Sequence, residues 1–159
     1  YVAKPVSQDA LVNAISDVLP RLRGASIFCV DDEPFSIEPL RRTLESAGAN
    51  VTVVDSAEAA LAWVEHQVPD VIFVDLMLPG MSGFELVWRL RSRPGLEAVP
   101  LIVLSGRTLG HEDRQTLHGQ VDRVITKGEL RLADLNATVR QALAHRRRPV
   151  VAGARVRVR

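Results

Sequence analysis

Val71-Ile72-Phe73-Val74-Asp75-Leu76-Met77-Leu78-Pro79-Gly80-Met81-Ser82-Gly83 is the stretch whose reading decides the fold. Val71 to Val74 is an unbroken apolar run, rich in β-branched side chains, with no polar residue alternating through it. Such a run marks a strand covered on both faces rather than one with a wet side. It closes at Asp75, and Pro79, Gly80 and Gly83 then punctuate a loop before Phe84, Leu86, Val87 and Leu90 resume at helical spacing. A doubly covered strand followed by a helix is the unit from which parallel sheets are built, because parallel neighbours need a crossover.

Working outward, the same alternation recurs. Ser26 to Val30, Val51 to Val54, Leu101 to Leu104, and Val124 with Ile125 read as four more strands. Between them, Ile37, Leu40, Leu44 and Ala47 fall on one helical stripe that Gly48 stops, while Asp55 and Glu58 suggest a capping box ahead of Ala59, Leu61, Ala62 and Val64. Glu112 to Leu117 is polar and weakly apolar, a short helix at best, and Leu132, Leu135, Val139, Ala142 and Leu143 give the stripe of a final one. The expectation is an α/β, flavodoxin-like, doubly wound sheet of five parallel strands in the order 2-1-3-4-5, with helices on both faces. Trp63 and Trp88 are expected to be packing residues and Cys29 to lie in the core. His66, His111, His118 and His145 show no ligand spacing or partner motif and are expected to be surface or helix residues.

Both ends of the chain fall outside this scheme. Tyr1-Val2-Ala3-Lys4-Pro5 followed by Leu11, Ile15 and Leu19 repeats, in truncated form, the pattern Val124-Ile125-Thr126-Lys127-Gly128 followed by Leu135, Val139 and Leu143. Residues 1–23 therefore read as the end of a preceding unit of the same kind plus a linker, 24–146 as a complete domain, and 147–159 as a disordered basic tail. The chain opens at Tyr1 and is expected to be a piece of a longer protein. The orphan helix carrying Leu11, Ile15 and Leu19 is expected to seat on a neighbouring surface, in one arrangement across a homodimer.

Charge is informative by its distribution. The chain carries a formal +1, yet Arg146, Arg147, Arg148, Arg155, Arg157 and Arg159 crowd its end without an acid among them, so the domain itself is net acidic. That excludes nucleic acid as a partner of the domain core. One cysteine rules out an internal disulfide and suits the cytoplasm. No apolar run approaches the ~20 residues needed to span a bilayer.

The chemistry sits at strand ends. Asp31 and Asp32 follow the first strand, Asp75 the third, Ser105 the fourth, and Lys127 the fifth. In an open parallel sheet these ends share one edge, where such folds assemble their sites. Each residue alone is more often a cap or a solvated loop position; the weight lies in the conjunction. Three neighbouring carboxylates repel unless a cation sits among them, and an all-oxygen site with few carboxylates suits Mg²⁺. One carboxylate is then placed to act as a nucleophile toward phosphorus, with charge neutralised by metal and ammonium. Ser105 offers a hydroxyl, and Gly106 has no side chain to block approach to its N–H.

Val71 to Gly83 closely resembles the phosphorylation-site segment of response-regulator receivers, the CheY-like superfamily. Cys29-Val30-Asp31-Asp32-Glu33 is similar to that family's metal-binding acidic pair, Leu104-Ser105-Gly106 to its hydroxyl switch followed by a small residue, and Ile125-Thr126-Lys127 to its motif lysine. The resemblance covers about residues 25 to 145. It implies that Asp75 accepts the phosphoryl group, that Asp32, Asp75 and the Met77 carbonyl bind Mg²⁺ with Asp31 acting partly through water, and that Ser105, Gly106 and Lys127 attend the phosphoryl group. It further implies a phosphohistidine donor on a histidine kinase or histidine phosphotransfer domain, no enzyme in the usual sense, and a parent that is a hybrid histidine kinase or tandem-receiver protein. Two positions depart from the family pattern. Gly128 replaces the usual proline after the lysine, and Val124 replaces the usual aromatic residue three before it, which puts the aromatic output route in question. Two other readings compete: a receiver fold used only for interaction, and a haloacid-dehalogenase-like phosphohydrolase. The latter needs a proton-transferring acid two residues after its nucleophile, where this chain has Met77.

Overall fold

The computed structural model describes residues 22–129, 137–139 and 141–144. The repeated segment at the start of the chain, the basic tail, Leu132, Leu135 and His145 lie outside these residues.

Strands β1 (Ser26–Val30), β2 (Asn50–Val54), β3 (Val71–Asp75), β4 (Leu101–Ser105) and β5 (Arg123–Thr126) alternate with helices α1 (Pro34–Ser46), α2 (Ala57–Trp63), α3 (Gly83–Arg91) and α4 (His111–Leu117). A 3₁₀ turn, Lys127–Glu129, follows β5, and residues 137–139 and 141–144 are helical. All strands pair in parallel in the order β2-β1-β3-β4-β5, as expected.

Successive side chains on a strand point to opposite faces, and each apolar strand therefore feeds two cores. Phe28, Val30, Ile72, Val74, Leu101 and Val103 join Ala57, Ala60, Leu86, Val87, Leu90 and Leu117 on the face of α2, α3 and α4. Their neighbours Ile27, Cys29, Val71, Phe73, Ile102 and Leu104 join Ile37, Leu40, Leu44, Val139 and Ala142 on the other. Leu22, just before β1, is fully buried in that second cluster.

Local signals explain the boundaries. Gly48 takes φ 90°, and a Schellman pair of bonds, Gly48 N–H to Glu45 and Ala49 N–H to Leu44, ends α1 as the sequence suggests. The capping box expected from Asp55 and Glu58 is displaced by one residue: Ser56 is the N-cap of α2, its hydroxyl accepting from Ala59 N–H at 3.2 Å. The buried stripe shifts accordingly to Ala57, Ala60 and Val64, and Ala62 is exposed. Gly83 is the first residue of α3 rather than a loop residue; Ser82 caps that helix. Of the two tryptophans only Trp63 packs, stacking on Phe28 with centroids 4.1 Å apart. Trp88 is 59% exposed, contrary to the packing role expected of it. His66, His111 and His118 are exposed and Cys29 is buried, both as expected.

Candidate functional site

The register decides which polar residues meet. Val30 lies beside Val74 and Asp75 beside Leu104, so Asp31 and Asp75 leave adjacent strands at nearly the same height. Both continue the alternation that places Cys29 and Phe73 on the α1 face. Asp31, Asp32 and Asp75 thus gather, with one carboxylate oxygen from each lying within 4.8 Å of the others.

Lys127 is drawn in among them. Its Nζ donates to Asp31 Oδ2 at 2.7 Å, to Ser36 Oγ at 2.8 Å and to Asp75 Oδ2 at 2.9 Å. Burial would by itself lower the pKa of this ammonium, but hydrogen bonds and charge from Asp31 and Asp75 outweigh it and hold the pKa above the usual lysine value. Asp31 Oδ2 also accepts from the Ser36 hydroxyl at 2.8 Å, and Asp31 Oδ1 from Glu33 N–H at 2.8 Å. Asp75 Oδ1 accepts from Met77 N–H at 2.9 Å, which folds the backbone of Met77 around the carboxylate. These donors offset the cost of burying Asp31 and Asp75 almost completely, at 1% and 3% exposure. Asp32 is half-buried, and its carboxylate has no hydrogen-bond or ion-pair partner among the described residues.

Gly83 fixes the loop below. A Cβ there would lie 2.4 Å from both the Asp75 carbonyl oxygen and the Leu76 Cα, so α3 starts directly against the backbone of Asp75. Gly83 N–H donates to the Leu76 carbonyl at 3.2 Å. Ser105 stands at the end of β4, but its hydroxyl turns onto its own loop, donating to the Arg107 carbonyl at 2.6 Å. Gly106 is exposed, with open space where a Cβ would stand. Arg107 pairs with Asp113 of α4 at 2.9 Å. Val124, at the position of the usual aromatic residue, packs partly buried against the α2–α4 core.

The structure therefore brings Asp31, Asp32, Asp75 and Lys127 together, with the Met77 backbone at hand and Ser105 and Gly106 at the adjoining strand end. Sequence reading missed Ser36. The available signal was a hydroxyl in the first turn after Asp31-Asp32, on a helix whose N-cap, Glu33, makes no side-chain cap.

A five-stranded parallel sheet in this order, with a carboxylate cluster and one ammonium at its carboxyl edge, defines a receiver-type signalling domain. The chain belongs to the response regulator receiver domain family, whose pattern matches residues 27–140. It is 42% identical over 94 residues to an uncharacterized 14.6 kDa protein of Leptolyngbya boryana, covering 59% of this chain and 71% of that one. It is 35% identical over 130 residues to the transcriptional regulatory protein KdpE of Mycobacterium tuberculosis, covering 79% of this chain and 56% of KdpE. To the sensor protein GacS of Pseudomonas syringae it is 27% identical over 140 residues, which span 79% of this chain but only 15% of GacS. Among solved structures, the receiver domain of sensor histidine kinase PA1611 from Pseudomonas aeruginosa, with a magnesium ion coordinated in its active-site cleft, superposes with TM-score 0.69 at 25% identity over 76% of this chain and 98% of that one. The chemotaxis response regulator CheY4 of Vibrio cholerae gives TM-score 0.68 at 26% identity, over 76% and 99%. Among the described residues no helix is long and apolar enough to cross a membrane.

Proposed function

We propose that this chain is a phosphoacceptor module of a two-component relay in which Asp75 takes a phosphoryl group from a phosphohistidine in a magnesium-dependent step. The observation that carries this reading is the Asp31–Asp32–Asp75 cluster with the Lys127 ammonium bonded directly to Asp75.

A divalent cation fits the residues present. The donors are all oxygens, the negative charge exceeds the single ammonium, and the Asp32 carboxylate has no protein partner to give up. Asp32, Asp75 and the Met77 carbonyl would hold the ion, with Asp31 acting through water. When bound, magnesium would supply charge neutralisation for the phosphoryl oxygens. Asp75 forms the oxygen–phosphorus bond as the donor's phosphorus–nitrogen bond breaks; the electron pair returns to the imidazole nitrogen, which recovers a proton from solvent. Lys127, already on Asp75 Oδ2, is placed to hold a phosphoryl oxygen. Ser105 would exchange its bond to the Arg107 carbonyl for one to the phosphoryl group, and the Gly106 N–H would donate from an unobstructed position.

The donor would be a histidine kinase or histidine phosphotransfer domain. The parent would be a hybrid histidine kinase or tandem-receiver protein, consistent with the small share of GacS that the chain spans. Because such donors are charged from ATP, the domain would work in the cytoplasm. The segment carrying Leu11, Ile15 and Leu19 would seat on a neighbouring surface, a second copy included. Sedimentation with and without residues 1–21 checks the contact with a second copy, and a monomer in both would dismiss that arrangement.

Intact-mass spectrometry after incubation with Mg²⁺ and acetyl phosphate, beside Asp75→Asn, tests the central step. One hydroxylamine-labile phosphoryl group in the native chain alone is expected. Equal uptake by Asp75→Asn, or none by the native chain from acetyl phosphate and from a phosphorylated histidine domain alike, overturns it.

A further inference from the structure

We propose that Ser36 is a positioning residue for phosphoryl transfer, holding the third N–H of Lys127 in the resting domain and releasing it to the incoming phosphoryl group. This rests on the reading of Asp75 as phosphoacceptor.

Three observations support it. First, an ammonium has three donors, and those of Lys127 are fully used on Asp31, Ser36 and Asp75. A phosphoryl oxygen can gain a Lys127 hydrogen bond only if one of these partners is surrendered. Asp31 is a buried carboxylate that would be left with a stranded charge, and the bond to Asp75 is the one that keeps the ammonium beside the reacting oxygen. Ser36 is the neutral partner and therefore the least costly to leave.

Second, the hydroxyl does not spend itself locally. Helix hydroxyls usually bond to nearby backbone, and Thr43, Ser92 and Thr116 each donate to the carbonyl four residues before. Ser36 instead accepts from Lys127 and donates to Asp31 Oδ2, bridging the two. When Lys127 turns away, the Ser36–Asp31 bond can remain, so Asp31 keeps a donor.

Third, among the described residues the Ser36 hydroxyl bonds to Asp31 and Lys127 and not to Asp32 or Asp75. Its effect is thus expected on the transfer rate rather than on metal affinity.

The test compares native protein, Ser36→Ala and Ser36→Thr, with fold checked by circular dichroism. Phosphorylation rates with acetyl phosphate are measured across a Mg²⁺ titration, and the Lys127 ammonium is followed by ¹H–¹⁵N NMR in metal-free protein. Ser36→Ala should lower the saturating rate by about 10-fold, shift the Mg²⁺ midpoint by less than about 2-fold, and broaden the slowly exchanging ammonium signal. Ser36→Thr, which keeps the hydroxyl, should restore both readouts. Equal rates in all three proteins, or a rate loss that higher Mg²⁺ abolishes, would overturn the role of Ser36 while leaving the phosphoacceptor reading intact. Failure of the native protein itself to take up phosphate would overturn that reading, and this role with it.

Discussion

The two edges of the sheet are built on opposite principles. At the amino edge, Arg91 donates to the carbonyls of Gln120 at 2.5 Å, Leu96 at 3.1 Å, Glu97 at 3.3 Å and Val99 at 2.6 Å, and pairs with Asp122 at 3.0 Å. Asp122 also accepts from Leu101 N–H at 2.8 Å, and Asp70 accepts from Ser26 N–H at 2.7 Å. One guanidinium thereby ties the loops entering β4 and β5 to the end of α3, with donors and acceptors matched. At the carboxyl edge, two of three clustered carboxylates share one ammonium and Asp32 is left over. The first arrangement matches its charges; the second leaves negative charge unbalanced. Site residues are therefore expected to be poor contributors to stability, and clamp residues poor contributors to chemistry.

Four experiments break or sharpen that contrast. The largest effect is expected from Gly83→Ala, because the new Cβ would meet backbone on β3 and just past it. A loss of about 3 kcal/mol in urea unfolding is expected, and it would show that the site's frame is rigid even though its charges are not optimised. A loss under about 1 kcal/mol would mean that α3 yields easily. Next, Arg91→Ala leaves part-buried carbonyls without their donor and Asp122 with only its bond from Leu101 N–H, and should cost about 2–3 kcal/mol, with the acetyl phosphate rate held within about 2-fold. A large rate change would join the two edges functionally.

Asp32→Asn reverses the sign. Removing the unpartnered carboxylate should stabilise the metal-free domain by about 0.5–1 kcal/mol and shrink the rise in Tm that Mg²⁺ gives the native chain. Destabilisation comparable to Arg91→Ala would refute the contrast. The smallest effect is on pH dependence. Burial pushes the Cys29 thiol well above its ordinary value, so its contribution is complete below the unfolded-state value near 8.5–9 and declines as pH rises beyond it. Lys127 is raised too, and its ion pairs are lost only as pH climbs through its folded value, above 10.5. Stability should hold flat to about pH 8.5 and then fall, with Cys29 inert to alkylation until the chain unfolds. Rapid labelling of folded protein at pH 9 would contradict this.

Much of this was legible in the sequence because it is written in unbroken apolar runs. Val71 to Val74 announces a doubly covered strand, and parallel topology then forces Asp31, Asp75 and Lys127 to one edge. The illegible parts depend on things that runs do not encode. Arg91 binds backbone carbonyls, which every residue has. Trp63 and Trp88 are alike in sequence, and only the facing of their helices puts one on Phe28 and the other in water. Asp55 and Ser56 are both good caps, and the choice depends on where β2 ends. Ser36 was hidden because its partners lie 5 and 91 residues away.

The alternation of side chains along β3 has a consequence for how the gene can change. Deleting one codon between Val71 and Asp75 would exchange the two cores' contributions from that strand and turn the carboxylate away from Lys127 in the same event. Length is therefore guarded more strictly than identity in this segment. Point replacements can drift through the strand one apolar residue at a time, but an insertion or deletion there removes the folded domain and its chemistry together, leaving no stable but inactive intermediate for selection to repair.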